Sequence, residues 1–246
     1  MNCSTRWLRP RRHAIARLKR RKRGPGTRND FKLQSQTEVA HTILQQTNHD
    51  DSTWPDILVL KDFLDQSLQQ QILSEMSVAE ARASVVYGGG AAGIVDEATR
   101  RSLRLTPSSQ TREMVVDRLR ASMASIAKHF EARLSECEEP QFLRYQEGDF
   151  FVAHQDGNTG LLRLDTERRL VSTVIFLSHE TDSPEPGPNV HCGGSLVFIN
   201  LRARSEDAKV RIVARPGTLI AFRSETTHEV TPVTYGERHS IVSWYC

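Results

Sequence analysis

The stretch that decides the fold is Arg144-Tyr145-Gln146-Glu147-Gly148-Asp149-Phe150-Phe151-Val152-Ala153-His154-Gln155-Asp156. Its second half is rich in aromatic and β-branched residues and follows a Gly-Asp turn signal, which predicts a strand ending near His154. Alternate residues on a strand share a face, so His154 and Asp156 can reach one metal ion. His228, seventy-two positions after Asp156, and Arg238, ten positions further on, complete the candidate constellation.

Two histidines and one carboxylate on one face of a six-coordinate ion leave three positions open, as in non-haem Fe(II) oxygenases. At neutral pH imidazole is mostly uncharged and Asp is ionised, so the three ligands bring one negative charge. Fe(II) held by them keeps a net positive charge, which favours an anionic cosubstrate. An isolated His-x-Asp pair is more often a surface turn, and the surrounding motifs decide against that interpretation.

Four ordered segments resemble the Fe(II)- and 2-oxoglutarate-dependent oxygenases of the prolyl 4-hydroxylase type, over roughly residues 52–246. Residues 145–156 resemble the YxxGxxF/YxxHxD signature. The other three are Gly193-Gly194-Ser195-Leu196, which resembles GG(S/E), residues 216–222, which resemble PGxLxxF, and residues 228–238, which resemble HxVxPVxxGxR.

The resemblance implies a dioxygenase that hydroxylates an unactivated C–H bond while converting 2-oxoglutarate to succinate and CO₂. His154, Asp156 and His228 would be its catalytic metal ligands. Fe(II) would be the cofactor, 2-oxoglutarate and O₂ the cosubstrates, and ascorbate a further candidate cofactor. Related halogenases replace the carboxylate ligand with a small residue, so the presence of Asp156 favours hydroxylation.

Arg238 begins a predicted strand on which Arg238, Ser240, Val242 and Trp244 share one face. A lone inward Arg is unfavourable unless it meets an anion, and its fork matches a carboxylate. We therefore expect Arg238 to bind the C5 carboxylate of 2-oxoglutarate. By the resemblance, Tyr145 adds its hydroxyl to that carboxylate, and Ser240 is a third candidate contact, although capping of a neighbouring strand explains it nearly as well. Phe176 departs from the family, in which this position often carries Tyr.

Short segments with β-branched and aromatic residues predict eight strands, at 141–146, 149–154, 169–178, 194–200, 209–215, 218–223, 227–234 and 238–245. Eight antiparallel strands favour a jelly roll, or double-stranded β-helix. Helices are predicted from Asp62 or Asp65 to about Ala81 and from Gln110 to about Glu136. These helices would pack on one outer face, which makes the fold class α+β.

The predicted organisation is a basic, disordered tail over 1–30, a polar linker over 31–51 and an oxygenase domain over 52–246. The domain divides into a helical part, 52–139, and a jelly-roll core, 140–246. Eleven of the 33 Lys and Arg residues and one of the 30 Asp and Glu residues lie in the tail, which leaves 22 basic against 29 acidic residues elsewhere. The tail could attract nucleic acid, direct the chain to the nucleus or an organelle, or be merely solvated.

The chain has no 18-residue apolar run, no secretory h-region and four scattered cysteines, which predicts a soluble protein of the cytoplasm with free thiols. Oligomeric state is not predicted. The expected partner is a peptide or small-molecule substrate, with peptidyl proline preferred. The loops at 86–109, 157–168 and 179–192 would select it, and the glycine-rich segment after Val86, with an Arg-x-Ser-like element near Arg101, is a candidate lid.

Four alternatives stay open. The substrate could be a free amino acid or a natural product. An AlkB-like nucleic-acid demethylase shares the triad, but Trp244 stands where such proteins carry a second Arg, and the acidic body opposes a phosphate backbone. A non-catalytic peptide-binding domain would not need these ligands. A zinc hydrolase would need a general base that the sequence does not identify.

Overall fold

The computed structural model describes residues 55–86, 93–157, 165–184, 187–200 and 208–246. The predicted tail and linker lie outside these residues, and so does most of the glycine-rich segment. In the described part, two α-helices, a 3-10 helix at Asp165–Arg168 and fifteen strands form an α+β fold. Cys137, Cys192 and Cys246 are free thiols, as predicted.

The two helices begin where the sequence offers a capping side chain. α1 spans Gln66–Val78, and the Asp65 carboxylate accepts a hydrogen bond from the Leu68 amide at 3.0 Å. α2 spans Ser109–His129, and the Ser108 hydroxyl accepts from the Thr111 amide. Each cap satisfies an amide that has no partner within its helix. Neither described helix combines the length and the apolar run that crossing a bilayer requires.

The strands form two large sheets and one small one. Their bounds are β1 Ile57–Leu60, β2 Glu80–Ala83, β3 Arg100–Arg101, β4 Leu103–Thr106, β5 Gln141–Tyr145, β6 Phe150–His154, β7 Val171–Phe176, β8 His179–Glu180, β9 Val190–Gly193, β10 Leu196–Ile199, β11 Lys209–Ile212, β12 Leu219–Arg223, β13 His228–Val230, β14 Val233–Gly236 and β15 Arg238–Tyr245. The seven-stranded sheet has the order β1-β12-β7-β15-β5-β4-β2, and the five-stranded sheet has the order β11-β10-β13-β6-β3. The third sheet is β14-β9-β8, in which β8 and β9 are parallel.

Alternation along the strands gives the seven-stranded sheet two apolar faces. One face of the seven-stranded sheet packs against both helices through buried residues such as Ile72, Leu119 and Ile175. The other face carries Val174, Phe176 and Phe222, which pack with Phe198 of the five-stranded sheet. This arrangement confirms the predicted double-stranded β-helix with helices on one face.

Two predicted boundaries are wrong. α2 ends at His129 rather than near Glu136, because Glu131 adopts a left-handed φ of 48° and the following residues run extended, pairing with the C-terminal strand through Cys137 and Tyr245. The strand predicted at 227–234 is two strands, β13 and β14, which belong to different sheets. Pro232 lies between them and cannot donate a ladder hydrogen bond.

The part before Gln141 holds both predicted helices and also four strands that were not predicted, β1 to β4. Three of them extend the seven-stranded sheet, and β3 joins the five-stranded sheet by pairing with β6. The segment predicted as a loop at 179–192 likewise contains β8 and β9. These strands have two to four residues each, too few to show an alternating pattern in the sequence.

Candidate metal and cosubstrate site

Three predicted ligands meet at one end of the five-stranded sheet. His154 ends β6 and pairs directly with His228, which begins β13, while Asp156 follows two residues after His154. Nε2 of His154 lies 3.6 Å from Oδ1 of Asp156, and Nε2 of His228 lies 3.6 Å from Oδ2. All three ligand atoms are within 4.8 Å of one another. Since N and O ligands lie about 2 Å from such an ion, these spacings suit a single metal.

Backbone carbonyl groups orient both imidazoles so that Nε2 of each is free to bind a metal. Nδ1 of His154 lies 2.8 Å from the carbonyl oxygen of Val152, and Nδ1 of His228 lies 2.8 Å from that of Thr226. A carbonyl can only accept, so each Nδ1–H donates and each Nε2 keeps its lone pair. Metal-binding histidines are commonly fixed in this way.

The local electrostatics keep the ligands in the form that binds a cation. Burial disfavours the charged Asp156 carboxylate, but the neighbouring His228, His154 and Ser172 outweigh it and hold the pKa of Asp156 well below its usual range. Burial, aided by His154, lowers the pKa of His228 to about 4. At neutral pH the carboxylate is therefore charged and the His228 imidazole is neutral, as metal binding requires.

The three ligands share a cavity of about 170 Å³ with Arg238 and Tyr145. Arg238 is 2% exposed and has no carboxylate partner among the described residues. Its Nη1 donates to the Ser240 hydroxyl at 2.8 Å, and its Nε has no partner. Burial lowers the pKa of Arg238 and the charge of Arg100 adds to this effect, although Tyr145 and Glu180 partly oppose it. A buried guanidinium with free donors is the expected receptor for an anion.

Tyr145 and Ser240 flank this guanidinium in different ways. Tyr145 lies opposite Arg238 in the β5–β15 pairing, and the Arg238 Cζ lies 5.1 Å from the centroid of its ring. The Tyr145 hydroxyl makes no hydrogen bond with the described residues. Tyr145 lines the cavity, so a ligand bound there could accept a hydrogen bond from it. Ser240 is fully buried and accepts from Arg238, so it holds the guanidinium. The ring centroid of Phe176 lies 5.8 Å from the Arg238 Cζ.

Two further arginines line the cavity, and sequence reasoning missed both. Arg169 donates from Nε and Nη2 to the two carboxylate oxygens of Glu138, and its Cζ lies 3.7 Å above the Trp244 ring. Arg100 is 8% exposed and lines the same cavity. The Arg-x-Ser-like element pointed to this segment, but it drew attention to Arg101, which is exposed and donates to the carbonyl of Gly148.

The segment that carries these residues is similar to a known family. Residues 140–246, which carry the three ligands and Arg238, match the family model of the 2OG-Fe(II) oxygenase superfamily. The match covers less than half of the chain, and over that part the chain is similar to the superfamily. The resemblance seen in the sequence motifs is therefore confirmed for the jelly-roll part of the chain.

Two relatives and one solved structure are similar to this chain over different shares of its length. A PKHD-type hydroxylase of Shewanella oneidensis is 34% identical over 110 residues, which are 43% of this chain and 41% of that protein. One from Burkholderia cenocepacia is 28% identical over 186 residues, 70% of this chain and 74% of that protein. The chain thus matches about two fifths of the length of the first of these relatives. A prolyl-4-hydroxylase structure from Pseudomonas putida aligns with a TM-score of 0.57 at 22% identity, covering 80% of this chain and 95% of that one, and shows the same fold.

Gly194 allows Arg238 to reach its position, which leads to a testable prediction. Its φ is +62°, and a Cβ atom there would lie 2.8 Å from Cγ2 of Val233 and 3.0 Å from Cδ of Arg238. We expect Gly194→Ala to lower the free energy of unfolding by about 1–3 kcal/mol through backbone strain and to weaken 2-oxoglutarate binding by displacing the guanidinium. Chemical denaturation and calorimetry on Mn(II)-loaded protein measure the two effects.

The matched control is Gly187→Ala, at an exposed glycine where the new Cβ would lie 3.3 Å from Val190. We expect that variant to keep its free energy of unfolding and its affinity for 2-oxoglutarate. Unchanged cosubstrate affinity in Gly194→Ala would show that the double glycine does not set the position of Arg238.

Proposed function

We propose that this chain is an Fe(II)- and 2-oxoglutarate-dependent hydroxylase. The observation that carries the proposal is the convergence of His154, Asp156 and His228 in one cavity with a buried, unneutralised Arg238. These three ligands fit Fe(II) and leave coordination positions free for a bidentate cosubstrate and O₂. The bound iron, with 2-oxoglutarate and O₂, supplies the oxidation that forms succinate and CO₂ and hydroxylates a C–H bond.

Residues of the cavity would bind and orient the cosubstrate and keep water away from the metal. Arg238 would pair with the C5 carboxylate of 2-oxoglutarate, Tyr145 would donate its hydroxyl to the same group, and Ser240 would keep the guanidinium in place. Apolar side chains such as Leu196, Val230 and Val242 line the rest of the cavity and limit the access of water. No side-chain nucleophile is required, and Asp156 occupies the position that a halide would need.

Peptidyl proline is the substrate that we propose. The support for it is the motif resemblance to prolyl 4-hydroxylases and the PKHD-type hydroxylases among the relatives. Free amino acids and natural products are alternatives with the same chemistry. The cavity offers no support for nucleic-acid demethylation through a second cosubstrate-binding Arg, because position 244 is Trp and the charge of the nearby Arg169 is paired with Glu138.

Succinate formation tests the proposal. Purified protein with Fe(II), ascorbate and 2-oxoglutarate is incubated with pools of proline-containing peptides and with pools of small molecules, and succinate is quantified. We expect at least one peptide pool to stimulate succinate formation, and Asp156→Asn to abolish this, since the amide lacks the ligand's charge. Stimulation by non-peptide compounds alone would overturn the peptidyl substrate. Failure of the metal-loaded protein to bind 2-oxoglutarate would overturn the oxygenase itself.

A further inference from the structure

Arg100, the first residue of β3, is a second guanidinium in the cavity that no described carboxylate neutralises. It is 8% exposed. Its Nε donates to the Ser102 hydroxyl at 3.0 Å and its Nη1 to the carbonyl of Val85 at 3.4 Å, and both acceptors are neutral. Its Nη2 has no hydrogen-bond partner among the described residues. The nearest acidic residues before it are Asp96 and Glu97; the Asp96 carboxylate accepts hydrogen bonds from Ala98 and Thr99, and neither acid forms an ion pair with Arg100 in the described part of the chain.

The position of Arg100 places this charge beside the metal ligands. β3 pairs with β6, and Arg100 lies opposite Phe151. The Arg100 Cζ lies 4.7 Å from the centroid of the Phe151 ring. That ring stacks on the His154 imidazole, with 3.5 Å between the centroids. One aromatic side chain therefore separates the guanidinium from the first metal ligand.

The charged groups of the cavity have a net charge of about +1. Among the described residues three guanidiniums line it, and the carboxylates of Asp156 and Glu138 balance two of them. Fe(II) and the 2-oxoglutarate dianion carry equal and opposite charges, so loading the site leaves this balance as it was. Because Arg238 is assigned to the cosubstrate and Arg169 is paired with Glu138, the surplus charge belongs to Arg100. A buried cation without an anion is strongly unfavourable.

We propose that the substrate carries one carboxylate, which pairs with Arg100 while a neighbouring carbon faces the metal. The proposal rests on the proposed function and specifies its substrate. A carboxylate brings one negative charge and matches the guanidinium fork, whereas a phosphate monoester brings about −1.5 to −2. In a peptide, the carboxylate is either the free C-terminus of a chain ending at the target residue or an Asp or Glu side chain next to it.

Matched pairs of peptides test this charge requirement. Protein loaded with Mn(II) and 2-oxoglutarate, which is inert without iron, is titrated by calorimetry with two pairs of acetylated peptides. The first pair ends in proline, with either a free carboxylate or an amide. The second pair is amidated and has Glu or Gln beside an internal proline. We expect the acid of at least one pair to bind about tenfold or more tightly than its neutral partner, as for a desolvated ion pair. The pair that shows this preference identifies the source of the carboxylate.

Variants at neighbouring positions on β3 assign the effect to one side chain. Arg100→Gln should abolish the preference for the acid, and Arg100→Lys should keep part of it because the charge remains. Arg101→Gln is the control, since Arg101 points away from the cavity, with its Cζ 5.0 Å from the Phe150 ring. 2-Oxoglutarate affinity, measured in the same samples, should be unchanged in Arg101→Gln and in Arg100→Lys, which keeps the charge. Retained binding of 2-oxoglutarate by Arg100→Gln, even if weaker, separates a substrate role from misfolding.

The proposal is overturned if neutral peptides bind as tightly as their acids, if no acid binds, or if Arg100→Gln keeps the preference. Loss of 2-oxoglutarate binding in the unmodified protein is a different result. In that case the proposed oxygenase function fails, and the substrate proposal fails with it.

Discussion

His228→Ala is expected to abolish succinate formation and to weaken divalent-metal binding by more than the roughly 10- to 100-fold that follows loss of an outer partner of a metal ligand. His228 supplies one of three ligand atoms, and its imidazole is held by the Thr226 carbonyl with Nε2 free. The two remaining ligands, His154 and Asp156, cannot define one face of the metal. Calorimetry with Mn(II) and a succinate assay with Fe(II) measure the two effects.

Folding has to be measured in the same experiment. The His228 ring also packs at 4.8 Å from the Phe222 ring, so its removal leaves a small cavity in the core. His228→Gln retains most of the volume and should lose metal binding with less effect on stability. His179→Ala, at an exposed position outside the triad, should bind metal as the unmodified protein does. Retention of normal metal affinity in His228→Ala would refute the three-ligand site.

Arg238→Met is expected to have opposite effects on the empty and the loaded protein. In the absence of ligands the substitution removes a buried, unneutralised charge and keeps an apolar side chain of similar length. The free energy of unfolding should therefore rise, by about 1–4 kcal/mol. With Mn(II) present, 2-oxoglutarate at one hundred times its dissociation constant should stabilise the unmodified protein by about 2.7 kcal/mol, and this increment should vanish in the variant.

The Arg238 prediction is specific because the variant should gain stability without ligands and lose the stabilisation by 2-oxoglutarate. A variant that merely misfolds would be less stable both with and without ligands. Tyr145→Phe should reduce 2-oxoglutarate affinity less than Arg238→Met does, since a neutral hydroxyl contributes less than a charged pair. Arg101→Met, at an exposed arginine on β3, should leave the stabilisation by 2-oxoglutarate unchanged and should not raise the free energy of unfolding, since Arg101 donates to the Gly148 carbonyl. An Arg238→Met protein that 2-oxoglutarate still stabilises fully would place the cosubstrate elsewhere.

Features that depend on local spacing were predictable from the sequence. The two-residue separation of His154 and Asp156 and the alternation along β15 follow from strand geometry alone. The structure places Val242 and Trp244 in the cavity and Ile241 against the helices, as that alternation requires. The resemblance of the motifs then added the distal histidine, which no local pattern connects with the first pair.

Features that depend on non-local contacts could not be predicted. The apolar pattern of α2 continues to Leu134, but the chain leaves the helix after His129 because the residues that follow pair with the C-terminal strand. Arg100 and Arg169 look like ordinary surface residues in a charged sequence, and their burial comes from partners far along the chain, such as Phe151 and Glu138. A single sequence contains no signal for such pairings.

The proposed metal ligands and the proposed cosubstrate anchor lie on different layers of the molecule. His154 and His228 belong to the five-stranded sheet, whereas Arg238 and Tyr145 belong to the seven-stranded sheet that faces it. A 2-oxo diacid chelated at one layer and ion-paired at the other must bridge the gap between them, and packed sheets lie about 10 Å apart. A diacid one methylene shorter or longer would fit only one of its two attachment points. The distance between the two sheets would then determine which diacid chain length the protein accepts. Because the buried core sets that distance, changes in the surface loops should not alter this selectivity.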